Sequence, residues 1–226
     1  MAKLLGCLFF LAIQYAYGDK KVPTPAEVLT AYGVELTVPS LVNALSSTQP
    51  MVRQNAAVLL GNRKVRAAVP ELRKLLTDEF VYARLAAAGA LVSLGDPTGE
   101  AALVKGLEGE DSPAVIYAAS TLTELGNASG YEVVARISSD SSQVMDRLQA
   151  VRALPKFLQF RDKEGSVVGA VAKAMLADPD QRIRLAAAGE LRNLKRDDVK
   201  QAFEEALKSA DSVIRELAQE YLGRNR

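Results

Sequence analysis

One spacing constrains this chain more than any other feature. From Arg53, in the run Met51-Val52-Arg53-Gln54-Asn55-Ala56-Ala57, equivalent positions follow at Arg84, Val115, Arg147, Arg184 and Arg215. The steps are 31, 31, 32, 37 and 31 residues. Three residues after each lie Ala56, Ala87, Ala118, Ala150, Ala187 and Ala218, and seven after lie Leu60, Leu91, Leu122, Leu154, Leu191 and Leu222. Ten after, the middle repeats carry Leu94, Leu125, Phe157 and Leu194. Offsets of three, seven and ten share one face of an α-helix. The alanines let a second helix come close. A further series, Leu41, Leu72, Leu103, Val134 and Val171, marks another helix ahead of each of these. Turn signals separate the elements at Gly61-Asn62, Gly95-Asp96-Pro97, Gly126-Asn127 and Asp178-Pro179-Asp180. A lone helical hairpin cannot bury both its faces. Stacked copies share one core, with stability close to a sum of nearest-neighbour contributions. The prediction is an all-α solenoid of about six helical hairpins over residues 38–226.

Two segments flank the repeats. Thr24-Pro25-Ala26-Glu27 is a capping box with proline at the first helical position, predicting a short N-terminal capping helix to about Tyr32 within a lead over 19–37. Residues 1–18 read as a signal peptide. Lys3 is followed by the apolar run Leu4 to Ile13, and Ala16 and Gly18 precede a cut before Asp19. A run of that length is short of the roughly 20 residues a membrane span needs. An exported, periplasmic or extracellular protein without stable membrane insertion after cleavage is expected. Leu4-Leu5-Gly6-Cys7 resembles a lipobox, but a cut there would leave the apolar run on the wrong side.

Composition narrows the chemistry. The chain has 226 residues, no histidine, no tryptophan and one cysteine, Cys7. The commonest general base and metal ligand is missing, as is any Ser–His or Cys–His pair. Without Lys3 the chain balances 27 basic against 27 acidic residues, so no basic field points to nucleic acid.

An apolar residue, Arg, two residues and Ala-Ala, as at Val52-Arg53, Ile183-Arg184 and Ile214-Arg215, resembles HEAT repeats in their short PBS-lyase-like form. Acids near the second-helix starts, Asp78, Asp111, Asp140, Asp180 and Asp211, fit the same pattern. The resemblance implies a right-handed, armadillo-like α-α superhelix. It also implies that the arginines pair with neighbouring aspartates rather than forming an anion-binding row. Deoxyhypusine hydroxylase resembles this fold but holds iron with His-Glu pairs that this chain lacks. Phycobilin lyases share the repeat but act inside cells.

These readings point to a non-catalytic scaffold for a protein partner, with no cofactor and no metal site. Two other readings stand beside it. One is a small-ligand-binding protein or carboxylate-based enzyme using a concave groove, and the other is a structural spacer in a cell-envelope assembly. Second-helix offsets of two and five should face away from the core, which makes Asn55, Tyr117, Gln149 and Arg152 the candidate protein-binding residues. Two irregularities stand out: Val115-Ile116-Tyr117 interrupts the arginine series, and the fourth repeat is six residues longer and contains Pro155. Proline should kink or end the helix there, with a longer mobile connection over about 159–166. Asn127-Ala128-Ser129 is a glycosylation sequon that would matter only in a eukaryotic source.

Overall fold

A computed structural model describes residues 23–194 and 196–224. The predicted signal peptide, the cut before Asp19 and the Cys7 lipobox lie outside the described residues. Those that are described form thirteen α-helices and no strand. They fall into two compact units, one through Leu125 and one from Gly126.

In the first unit, α1 (Pro25–Ala31) is followed by three hairpins: α2 (Val38–Ala44) with α3 (Pro50–Asn62), α4 (Val69–Leu75) with α5 (Val81–Ser93), and α6 (Pro97–Gly106) with α7 (Ser112–Glu124). The predicted capping box closes α1: Thr24 accepts from the Glu27 N–H at 3.2 Å, and Glu27 accepts from the Thr24 N–H at 2.6 Å. This helix is also in register with the repeats. Leu29 lies 31 residues before Leu60 and is fully buried, so α1 stands at a second-helix position of the repeat.

The register reaches the backbone. Gly33, Lys64, Gly95 and Gly126 all have positive φ, at 74°, 56°, 79° and 80°. Each follows a second helix, 31 residues apart, where a left-handed residue lets the last helical carbonyls find donors. Val34 N–H donates to Leu29, Val65 N–H to Leu60 and Asp96 N–H to Leu91, each spanning the turn. Lysine stands at one such position, with its ammonium on the Ser93 carbonyl.

Packing agrees with the predicted faces at offsets three and seven, whereas at offset ten Leu94 is half-buried and Leu125 exposed. Ala56, Ala87 and Ala118, with Leu60, Leu91 and Leu122, are fully buried. Leu41, Leu72 and Leu103 meet them from the first helices. Helices α3 and α5 approach closely: a Cβ on Gly61 would stand 2.7 Å from the Ala90 Cα. Ser93 Oγ seals that contact by donating to the Gly61 carbonyl at 3.0 Å.

The second unit holds α8 (Tyr131–Asp140) with α9 (Val144–Ala153), α10 (Glu164–Ala177) with α11 (Gln181–Arg192), and α12 (Asp197–Ala206) with α13 (Ser212–Arg224). Ala150, Ala187, Ala218, Leu154 and Leu191 are fully buried, whereas Leu222 in the last helix is only half-buried. Proline acts as expected in part. Helix α9 ends at Ala153, and Pro155 enters a 3₁₀ segment over Leu154–Gln159. The expected mobile connection is not there, because α10 already begins at Glu164. Phe157, at the offset-ten position, is buried and meets the Tyr131 ring edge-on at 5.6 Å, while Gln159, Arg161 and Asp162 beyond it stay exposed. Among the described residues, no helix is long and apolar enough to cross a membrane.

Candidate functional site

The repeated arginines are the most conspicuous polar groups, and the fold uses them twice. Each turns back onto the hairpin connection just before its own helix. Arg53 Nη1 donates to the Ser47 carbonyl at 2.9 Å, Arg84 Nη1 to the Asp78 carbonyl at 2.6 Å and Arg147 Nη1 to the Ser141 carbonyl at 2.8 Å. Arg184 does the same to the Asp178 carbonyl, and Arg215 to that of Ser209, both at 2.6 Å. The acceptor is always six residues upstream. Its own side chain accepts from the N–H two residues on, at Ser47, Asp78, Ser141, Asp178 and Ser209. These are side-chain-capped turns of the kind Ser and Asp favour.

Three arginines use the rest of the guanidinium to reach the next repeat. Arg53 grips Asp78 through Nε and Nη2, both at 2.7 Å. Arg147 grips Asp178 at 2.9 and 3.2 Å, with both side chains buried. Arg184 places Nε and Nη2 on one oxygen of Asp211 at 3.1 and 2.8 Å. The planar fork matches a carboxylate in this way, and the pairing implied by the resemblance is present. Its membership differs from expectation. Asp178, not Asp180, is the partner in the fifth repeat, while Asp180 caps α11 and holds Arg182. Asp140 is the exposed last residue of α8 and stands at no second-helix start. For Asp78 and Asp178 the sequence signal is the position six residues before the next residue of the arginine series, held elsewhere by Ser47, Gly109, Ser141 and Ser209, whereas Asp211 stands four residues before Arg215.

Electrostatics reflect the pairing. Burial works to raise the Asp78 carboxyl, but hydrogen bonds from Arg53 and the Phe80 N–H outweigh it and hold it below its ordinary value. Arg184 holds Asp211 low, and Arg182 holds Asp180 at about 2. A carboxylate with a lowered folded pKa contributes stability above its unfolded value, near ~3.9, and loses it as pH falls toward the folded value. The melting temperature should therefore decline as pH drops from about 4 toward about 2. Asp211→Asn should flatten part of that decline, and an unchanged acid limb would show that the Arg184 pair contributes nothing to it.

The candidate residues are placed differently from one another. Asn55 departs from expectation: it is buried, with its amide donating to the Met51 carbonyl at 2.7 Å. Tyr117 is half-buried and joins Val58, Gly61, Asn62, Gly89 and Ser93 around a shallow groove of about 10 Å³ across α3, α5 and α7. Burial pushes its phenol up to about 12. Gln149 and Arg152 lie on α9, both half-buried. Arg152 faces Glu190 of α11, whose carboxyl burial raises and Arg152 lowers. The structure thus brings Tyr117, and not Asn55, to the groove, and gives Arg152 an acidic neighbour.

A second concavity, about 190 Å³, lies between α8 and α10, lined by Ser138, Ser139, Ala170 and Lys173. Among the described residues, no three His, Cys, Asp or Glu side chains gather where they could hold a metal ion.

Comparison with known proteins agrees with this architecture. The family described as HEAT repeats matches residues 38–123 and 131–223. No curated protein matches the sequence. Among solved structures, a computationally designed armadillo repeat protein for modular peptide recognition superposes with TM-score 0.52 at 18% identity, over 83% of this chain and 99% of that one. An engineered protein superposes with TM-score 0.51 at 20% identity, over 81% and 94%. The complex of phycocyanin lyase subunits from Nostoc sp. PCC7120 reaches only 0.43 at 21% identity, over 92% and 90%, too distant a superposition to bear on function.

Proposed function

The chain belongs to the HEAT-repeat family, and from that premise we propose that it is an exported, non-catalytic scaffold that binds a protein partner along the second-helix face of its first unit. The groove beside Tyr117 carries the reading. It is uncharged and holds no more than about one water, far below the roughly 300–1,000 Å³ of a small-molecule site. A shallow strip of small residues beside one large amphipathic ring suits an extended chain better than a substrate. The repeated charges do not compete for this role, since they tie turns and neighbouring repeats together. The designed armadillo protein of similar fold, made for modular peptide recognition, is consistent with such a use of the face. Export rests on the leader over residues 1–18.

Two experiments test the proposal. N-terminal sequencing of native protein should begin at or near Asp19; an intact Met1 would overturn export, and a lipid on Cys7 would overturn the cut before Asp19. For binding, Tyr117→Ala is a poor probe, because the ring packs against the core that includes Leu85, Leu103 and Leu122. Asn62→Lys is better. Asn62 is exposed on the groove at the end of α3, where a cation suits the helix dipole. Stability should change by no more than about 0.5 kcal/mol, while capture of partners from the native envelope fraction should fall at least about tenfold, ~1.4 kcal/mol. Undiminished capture would remove the groove from consideration.

A further inference from the structure

The Arg–Asp series has one open place inside the first unit. Arg53, Arg147 and Arg184 each set Nε and Nη2 on an aspartate of the following repeat. Arg84 does not. Its Nη1 anchors to the Asp78 and Glu79 carbonyls as the pattern requires, but Nε and Nη2 have no partner among the described residues. The acceptor is missing from the sequence: the position that holds Asp78 for Arg53 holds Gly109 for Arg84, again 25 residues on. The alternative acceptor position, used by Arg184 through Asp211, holds Asp111 for Arg84, 27 residues on. That carboxylate is engaged elsewhere. It accepts from the Tyr82 hydroxyl at 3.1 Å and from the Ala114 N–H at 3.4 Å. Arg84 is half-buried, so its fork is held in place by its own turn yet remains reachable from solvent.

We propose that Arg84 is a carboxylate-binding site, in which an external carboxylate takes the place of the aspartate absent at Gly109 and receives both Nε–H and Nη2–H. The anchored Nη1 fixes the plane of the guanidinium beforehand, so less side-chain freedom is lost on binding than for an unrestrained surface arginine. The surroundings set the ligand class. Glu108, Glu110 and Asp111 are exposed on the same turn, and Glu79 is exposed beside Asp78. Each added negative charge on a ligand meets their repulsion. A singly charged carboxylate that fills the fork is therefore favoured over a doubly charged phosphate. Such a carboxylate can be free or can be an acidic side chain of a bound peptide. The second source builds on the scaffold reading, whereas the site itself does not depend on it.

The test is a titration of the full chain, followed through the Arg84 Nε–H resonance by NMR. The probes are acetate, inorganic phosphate, and an end-capped Ala-Asp-Ala peptide with its Ala-Asn-Ala counterpart. Acetate should shift the Arg84 resonance saturably, with phosphate binding at least several-fold more weakly, and Arg53 should stay unmoved because Asp78 already fills its fork. A response to the Asp peptide but not to the Asn peptide assigns the peptide source, and a response to acetate alone assigns the free one. Gly109→Asp should abolish the response while raising the melting temperature, since it supplies the missing partner. A Cβ at that position would stand 3.3 Å from the Gly106 carbonyl and 3.6 Å from the Val115 side chain, so a shift of a few tenths of an ångström in the turn accommodates it. Arg84→Lys keeps the charge and removes the fork, and should retain less than about a tenth of the affinity. No shift with acetate, an equal shift at Arg53, or an undiminished response in Gly109→Asp would each overturn the site. Loss of envelope capture in the Asn62→Lys variant has no bearing on this titration, so the two readings fail separately.

Discussion

Leu191→Ala should cost about 2–5 kcal/mol in denaturant melts, as large-to-small changes in packed cores do, and Leu222→Ala should cost clearly less. The two leucines occupy the same offset in successive repeats. Leu191 is fully buried on α11, which packs against α9, α10 and α13. Leu222 is half-buried on the last helix, which packs chiefly against α11 and α12. Truncating Leu191 leaves a cavity with walls on several sides that cannot all collapse. Truncating Leu222 leaves a hollow that water and small shifts can fill. Equal losses, or a larger loss at Leu222, would contradict the nearest-neighbour account of stability.

Asp178→Ala should be at least as damaging, at about 3–5 kcal/mol. The change removes both acceptors of the Arg147 fork, and the guanidinium stays buried with 8% of its side chain exposed. It also removes the acceptor for the Asp180 N–H. The loss should come chiefly from the stranded charge, so Arg147→Met combined with Asp178→Ala should recover part of it. A control lies in the same series. Glu79 also touches Arg53, at 3.5 Å, but is 84% exposed, and Glu79→Ala should change stability by no more than about 1 kcal/mol. Urea melts of these variants decide the matter, and a double mutant as weak as Asp178→Ala alone would place the loss in the turn instead of the ion pair.

The fold is legible in the sequence because its determinant is periodic. Six copies of one spacing average out the irregularity of any single repeat, so the offsets alone place the buried alanines and leucines. The offsets do not convey which polar atoms meet. Arg147 pairs with Asp178 and not with Asp180 because the chain enters α11 through a capped turn. That turn aims the earlier side chain at the neighbouring repeat and the later one at its own helix end. Asn55 departs from its expected exposure with its amide turned back onto the Met51 carbonyl, a contact the offsets do not convey. At Pro155 the spacing loses its force. Proline announces the end of a helix but carries no information about the segment beyond it, where a 3₁₀ turn keeps Phe157 at its core position against Tyr131. The groove beside Tyr117 was not legible, since it depends on the closeness of Gly61 to Ala90, a distance no spacing encodes.

The turn anchors carry a consequence for how the chain becomes ordered. Each arginine bonds a carbonyl only six residues behind it. Closing so short a loop loses little chain entropy, and loops of about ten residues close in roughly 10–100 ns. The carbonyl bonds can therefore set each second-helix start before any neighbouring repeat arrives, whereas the carboxylate bonds require one. Contacts that are local in sequence favour rapid folding. Each elbow is thus fixed by its own few residues, and the carboxylate bonds are what join one elbow to the next.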